Sequence, residues 1–266
     1  MAPVVIVTGA SRGIGLAIAR TLLATHGAKV ATLQRTLTPE LKALAEQYPD
    51  RVLTVSGDVS KPEDNVRVVE QTVAKWGSLT GLILNAGTLD PMGKLSEVPL
   101  DALVPSLQTN LLSALYIVQP AIKYLRASAT PQNPARVILV SSGASVGAYQ
   151  AWGMYSLAKA GVNSLARTFA AEEKDGNVIF LSIRPGVVDT DVSRLIMQGH
   201  IRKAGPGVMA PNEMAKFNQL HEGGMLLPPE QPGSVIAGCA IGLPAECSGE
   251  YVDWADERFA QWRHKA

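Results

Sequence analysis

The feature that most limits the fold is the run Val4-Val5-Ile6-Val7, in which no side chain is polar. A strand covered on one face alternates apolar with polar residues; a strand that is apolar throughout must be covered on both, as in a parallel sheet with helices on either side. Comparable runs recur at Lys29 to Leu33, Val52 to Ser56, Gly81 to Asn85, Arg136 to Ser141 and Val178 to Ile183, and stretches with helical periodicity separate most of them. Short strands alternating with longer helices predict βαβ units. The expected fold is therefore α/β: a doubly wound parallel sheet of about seven strands, flanked by helices on both faces. Ser248 to Trp254 supplies the last strand. With 266 residues, one domain over 1–266 is expected.

Helical spacing runs over Ile14 to His26, Pro62 to Trp76 and Leu100 to Arg126, where Pro105 and Pro120 predict kinks or interruptions. From Gly153 to Lys174, Ala158, Val162, Leu165 and Phe169 form one apolar stripe that faces either the core or a second subunit. Between residues 189 and 233 the pattern loosens, with Gly-Pro-Gly at 205–207 and Pro228-Pro229, and reads either as a substrate lid or as a plain loop. Lys and Arg total 24 against 23 Asp and Glu, so there is no broad field for nucleic acid or anionic membrane. Cys239 and Cys247 are too few for a disulfide framework, and no metal site is expected. Nothing near Met1 reads as a leader, and no apolar run approaches the roughly 18 residues of a membrane helix, so a cytoplasmic location is the default expectation.

The first strand runs directly into Thr8-Gly9-Ala10-Ser11-Arg12-Gly13-Ile14-Gly15 and then into a helix. That order suits a dinucleotide pyrophosphate. Gly9 permits the tight turn, Gly13 lets the backbone approach the diphosphate, Gly15 lets helix and sheet pack closely, and the helix N-terminus supplies partial positive charge. The Thr-Gly-x-x-x-Gly-x-Gly spacing resembles the short-chain dehydrogenase/reductase family, and the resemblance extends over essentially the whole chain. It implies a Rossmann fold, with Gly9, Ser11, Arg12, Gly13, Ile14 and Gly15 around the cofactor, Asp58-Val59 at the adenine, and Asn85-Ala86-Gly87 as the family's cofactor-binding Asn-Ala-Gly element. Leu84 stands where many members carry a further Asn. In Arg184-Pro185-Gly186-Val187-Val188-Asp189-Thr190, the segment Pro185, Gly186, Val188 and Thr190 resembles the one that holds the carboxamide.

Cofactor choice turns on the end of the second strand. An NAD site places an acid there, which accepts from the ribose hydroxyls and repels a 2′-phosphate. This chain has Gln34 followed by Arg35, and Arg12 sits inside the glycine turn. Two guanidinium groups converging on one phosphate predict NADPH, as in the NADP-preferring members that this arrangement resembles.

Tyr155 and Lys159 lie four residues apart on one helix face, and Ser142 ends a strand thirteen residues before Tyr155. Reducing a ketone needs hydride at carbon, a proton at oxygen, and stabilisation of the forming alkoxide. The resemblance implies that Ser142 bonds the substrate oxygen, Tyr155 donates the proton, and Lys159 holds the nicotinamide ribose. It also implies that Asn110 helps hold a water that relays protons to the lysine. A cation about 4 Å away at an effective dielectric of about 20 is worth roughly 4 kcal/mol, so Lys159 is expected to pull Tyr155 toward neutrality.

The Ser248 to Trp254 ending is similar to those of sepiapterin reductases and benzil-reducing members, which makes Asp253 a candidate pterin anchor. Trp152 and Met154 are candidates for a pocket wall or for core. The expected activity is reduction of an aldehyde, ketone or α-diketone to the alcohol, with a small-molecule carbonyl substrate and, by resemblance, a homodimer or homotetramer. The alternative is a non-catalytic NADPH-sensing regulator, which the intact Ser142, Tyr155 and Lys159 set disfavours.

Overall fold

A computed structural model describes residues 2–190 and 209–264. Its strands are β1 (Val4–Thr8), β2 (Lys29–Gln34), β3 (Val52–Ser56), β4 (Gly81–Leu84), β5 (Ala135–Val140), β6 (Val178–Arg184) and β7 (Tyr251–Asp253). They form one sheet in the order β3-β2-β1-β4-β5-β6-β7, every neighbouring pair parallel. The expected doubly wound α/β sheet is thus observed.

The all-apolar strands behave as their composition requires. On β1, Val5 and Val7 enter one core and Ile6 the other; on β6, Ile179, Leu181 and Ile183 face the first and Val178 and Phe180 the second. The first core lies under α1 (Gly13–Ala24), α2 (Pro39–Gln47) and, near the C-terminus, a helix at Glu230–Gly242. The second lies under α3 (Pro62–Trp76), α5 (Ser113–Ser128) and α6 (Gly153–Glu172). Pro62 opens α3, Glu63 and Asp64 occupy its first turn, and Gly77 closes it at φ 74°, so its ends satisfy the backbone and the helix dipole together.

The proline expectation needs correcting. Pro105 lies in the first turn of the short α4 (Leu103–Leu107), where a missing N–H forfeits no helical bond, and α5 runs through Pro120. The interruption falls instead at Gln108–Leu112, a π-helical turn that contains Asn110. Helix α2 was not anticipated, although Pro39 at its start and Thr38 Oγ1 accepting from Leu41 N at 3.4 Å are ordinary start signals. Residues 191–208 of the expected 189–233 lid lie outside the described residues. The described part contains α7 (Pro211–Glu222), and the first turn of α8 (Glu230–Gly242) begins within that range.

At the far end of the second layer, Arg126 of α5 grips Glu173 after α6 through Nε at 2.7 Å and Nη2 at 2.6 Å. Glu173 is buried. Arg126→Ala would leave that carboxylate without its fork partner, and urea unfolding should show a loss of about 1–3 kcal/mol. Unchanged stability would mean that solvent replaces the guanidinium at no cost.

Candidate active site

The sheet's order reverses between β1 and β4, and a crevice opens beyond the C-terminal ends of these strands. Thr8 and Asn85 lock its floor. Thr8 Oγ1 accepts from the N–H groups of Asn85 and Ala86, both at 3.1 Å, while Asn85 Nδ2 donates to the carbonyls of Thr8 at 3.1 Å and Gly9 at 3.2 Å. Gly9 has φ 71°, and a Cβ on Gly15 would lie 2.2 Å from the Gly9 carbonyl oxygen, so both positions demand glycine. Helix α1 opens on Arg12 with no side-chain cap and no acid in its first turn. Its leading N–H groups point into the turn, the arrangement that suits a phosphate.

Around this turn the predicted residues assemble from separate parts of the chain. A Cβ on Gly13 would meet Thr190 Cγ2 at 3.2 Å, which puts the Pro185–Thr190 segment against the glycine turn. Val188 is buried and bridged to Leu227. A Cβ on Gly87 would lie 3.0 Å from Asn110 Oδ1 and 3.7 Å from Lys159 Nζ. Ser11 Oγ donates to the Thr36 carbonyl at 2.6 Å and Thr38 Oγ1 donates to the Ser11 carbonyl at 2.7 Å, stitching the loop that carries Arg35 to the turn that carries Arg12. Arg12 and Arg35 are both exposed. Asp58 Oδ1 accepts from Ser60 N at 2.9 Å, and Val59 and Ile14 pack into the cores.

Tyr155 and Lys159 project from α6 toward the end of β5, where Ser142 caps a 3-10 turn (Gly143–Ser145). The Ser142 side chain lies near enough to the Tyr155 phenol to favour its charged form. Lys159 is buried; its Nζ donates to the Val140 carbonyl at 2.7 Å and lies 5.6 Å from the centre of the Tyr155 ring. Asn110 is buried and uses its amide on Thr88: Oδ1 accepts from Thr88 N and Nδ2 donates to Thr88 O, each at 2.9 Å. Beside Asn110 and Lys159 lies a cavity of about 20 Å³, also lined by Thr8, Ser113 and Asn65, with room for about one water.

A family model described as short chain dehydrogenase matches residues 3–200. The chain belongs to this short-chain dehydrogenase family. It is 32% identical over 265 residues to a benzil reductase ((S)-benzoin forming) of Saccharomyces cerevisiae, covering 97% of this chain and 98% of the relative. A benzil reductase ((S)-benzoin forming) of Bacillus cereus is 33% identical over 238 residues, 87% of this chain and 91% of its own. The crystal structure of the KRED1-Pglu enzyme superposes with a TM-score of 0.85 at 38% identity, covering 94% of this chain and all of its own.

The electrostatics of this short-chain dehydrogenase differ from the sequence expectation. Burial pushes the Tyr155 phenol above its usual value, and the nearby Ser142 side chain opposes that only in part. Lys159, engaged with Val140, does not bring the phenol to neutrality; burial lowers its own value to about 8. Tyr155 therefore carries its proton at neutral pH, the state a donor needs.

Above the site stands a small apolar wall. Trp152 stacks on Phe217 of α7 at 5.3 Å, contacts Tyr149 at 5.0 Å and meets Tyr155 edge-on at 6.1 Å, with Met92, Met209 and Met214 in the same cluster. Met154 is buried. Asp253 Oδ2 pairs with Arg184 at 2.5 Å and Oδ1 accepts from Ala255 N at 2.8 Å, so both oxygens of the candidate pterin anchor are occupied within the chain. Sequence reasoning assigned no role to Thr8, Phe217, Asn163 or Tyr251. Of these, Thr8 opens the glycine motif and Asn163 lies four residues beyond Lys159 on the same helix face, so both had a signal. Among the described residues no cluster of His, Cys, Asp and Glu is placed to hold a metal, and no helix is long and apolar enough to cross a membrane.

The buried lysine has a measurable consequence. Its folded value of about 8 lies below the ordinary 10.5, so below pH 8 folding buries a charge, and the cost fades as pH rises toward 10.5 and the unfolded chain also loses its proton. Lys159→Met should therefore gain about 1–3 kcal/mol in urea unfolding at pH 7, with a smaller gain near pH 10. A gain that grew with pH would contradict the assigned burial cost.

Proposed function

We propose that this chain is an NADPH-dependent reductase that converts the carbonyl of an aldehyde, ketone or α-diketone to the alcohol. The observation that carries this reading is the convergence of Ser142 at the end of β5 with Tyr155 and the buried Lys159 of α6, where burial keeps the phenol protonated at neutral pH. Bound in the glycine turn, NADPH supplies the hydride. Ser142 and Tyr155 both donate toward the substrate oxygen, and Tyr155 gives up its proton as negative charge builds there. Lys159, four residues on, orients the ribose and restores charge balance when the phenol is spent. With its amide engaged on Thr88, Asn110 contributes to the wall of the small cavity that it shares with Lys159.

Preference for NADPH rests on the stitched loops that carry the exposed Arg12 and Arg35, with Gln34 in place of an acid. Preference for a bulky aromatic or α-dicarbonyl substrate rests on the Tyr149, Trp152 and Phe217 wall beside Tyr155 and on the benzil reductases among the relatives.

Purified protein with a panel of aromatic diketones, simple ketones, aldehydes and a pterin ketone should consume NADPH faster than NADH, and fastest with the diketones. Tyr155→Phe should lower kcat by about a thousandfold or more while NADPH affinity stays within about twofold. Comparable turnover in that variant would remove Tyr155 from the donor role. Arg35→Ala should weaken NADPH by roughly tenfold or more and leave NADH nearly unchanged; equal losses would make Arg35 a surface charge.

A further inference from the structure

We propose that Tyr251, on the last strand of the sheet, is a positioning residue for Ser142, an inference that rests on the reductase reading above. Ser142 leaves β5 in an extended conformation (φ −157°, ψ 155°) and its Oγ accepts from Ala144 N at 3.2 Å. With the backbone extended and the side chain engaged, the direction of Oγ follows the plane of the Ser142–Gly143 peptide. That plane is set at the carbonyl. The Ser142 carbonyl accepts from Ser145 Oγ at 2.6 Å, from Ser145 N at 3.1 Å and from the Tyr251 hydroxyl at 2.9 Å.

These donors are not equivalent. Both Ser145 groups belong to the same turn and move with it, so they fix its shape but not its place. Tyr251 is an outside reference: β7 pairs Tyr251 with Ser182 of β6, and β6 pairs Ile183 with Val140, two residues before Ser142. The hydroxyl thus ties the catalytic turn to the sheet. Asn163 makes the complementary tie to α6, accepting from Ser141 Oγ at 2.7 Å and donating to Ser145 Oγ at 2.9 Å. Tyr155, Lys159 and Asn163 follow one another at four-residue spacing, so one helix face carries the proton donor, the cation and this strut. The serine is held between the two, and transition-state donors need placement within about 0.5 Å.

Tyr251→Phe removes one oxygen and keeps the ring, so the turn retains its own bonds. Expected are a fall in kcat of about tenfold, NADPH affinity within about twofold of wild type, and a thermal midpoint close to wild type. The pH profile of alcohol oxidation should move upward in pH, the direction expected for Ser142→Ala, because each change weakens the influence of Ser142 that opposes the burial of the Tyr155 phenol. In the Ser142→Ala background, Tyr251→Phe should cost nothing further. Equal losses in both backgrounds, or wild-type turnover in Tyr251→Phe, would overturn the proposal. A crystal structure of Tyr251→Phe decides the geometry without any turnover: a displaced Ser142 Oγ supports it, and an unmoved Ser142 refutes it. A wild-type protein that reduces no carbonyl would defeat the reductase reading instead, and the crystal comparison would still decide the positioning.

Discussion

Thr8 and Asn85 hold β1 to β4 at the one place in the sheet where the strand order reverses, and everything functional is built on that junction. Beyond it the chain leaves β1 toward one face and β4 toward the other, so no ladder bonds continue between them. The exchange of side-chain and main-chain bonds replaces the missing ladder, and Thr8, almost fully buried, makes it in a low-dielectric setting where such bonds are strong. Because Asn85 also reaches the Gly9 carbonyl, the same contact sets the shape of the glycine turn. Gly15 can then bring α1 against the Gly9 carbonyl.

The proposed reaction centre sets a half-buried phenol, Tyr155, beside a buried amine, Lys159. Desolvation acts on both but in opposite senses, holding the phenol protonated and making the lysine ready to release its proton. On the proposed mechanism, a phenol that keeps its proton beside an amine with a value of about 8 delivers that proton toward substrate and is recharged from within the protein. The arrangement sacrifices stability for chemistry, as functional sites commonly do.

How far the sequence revealed this depends on whether each feature is local. The apolar runs, the glycine turn, and the Tyr155 and Lys159 spacing are written within a few residues each, and all reappear in place. Strand ends differ by a residue, as at Asn85, which turns out to be a clamp beyond β4 rather than its last residue. Features made by distant contacts were hidden. Nothing near Tyr251 announces a bond to a residue over a hundred positions earlier, and nothing in Gln108–Leu112 marks a π-turn. The interruption expected between Leu100 and Arg126 is present but falls at the π-turn rather than at Pro105 or Pro120, because a helix start forfeits no bond to a missing N–H and α5 continues through Pro120. The direction of the Tyr155 shift was misjudged because sequence gives the spacing of a cation but not the carbonyl that Lys159 engages instead.

The position of β7 has a consequence for how the molecule comes into being. Strands β1, β2 and β3 lie side by side near the beginning of the chain, so the cofactor turn can form early in synthesis from neighbouring segments. The strand whose Tyr251 reaches Ser142 occupies the opposite edge of the sheet and follows all the others in sequence. During synthesis the glycine turn therefore has its strands to hand before the segment around Ser142 acquires its contact from β7.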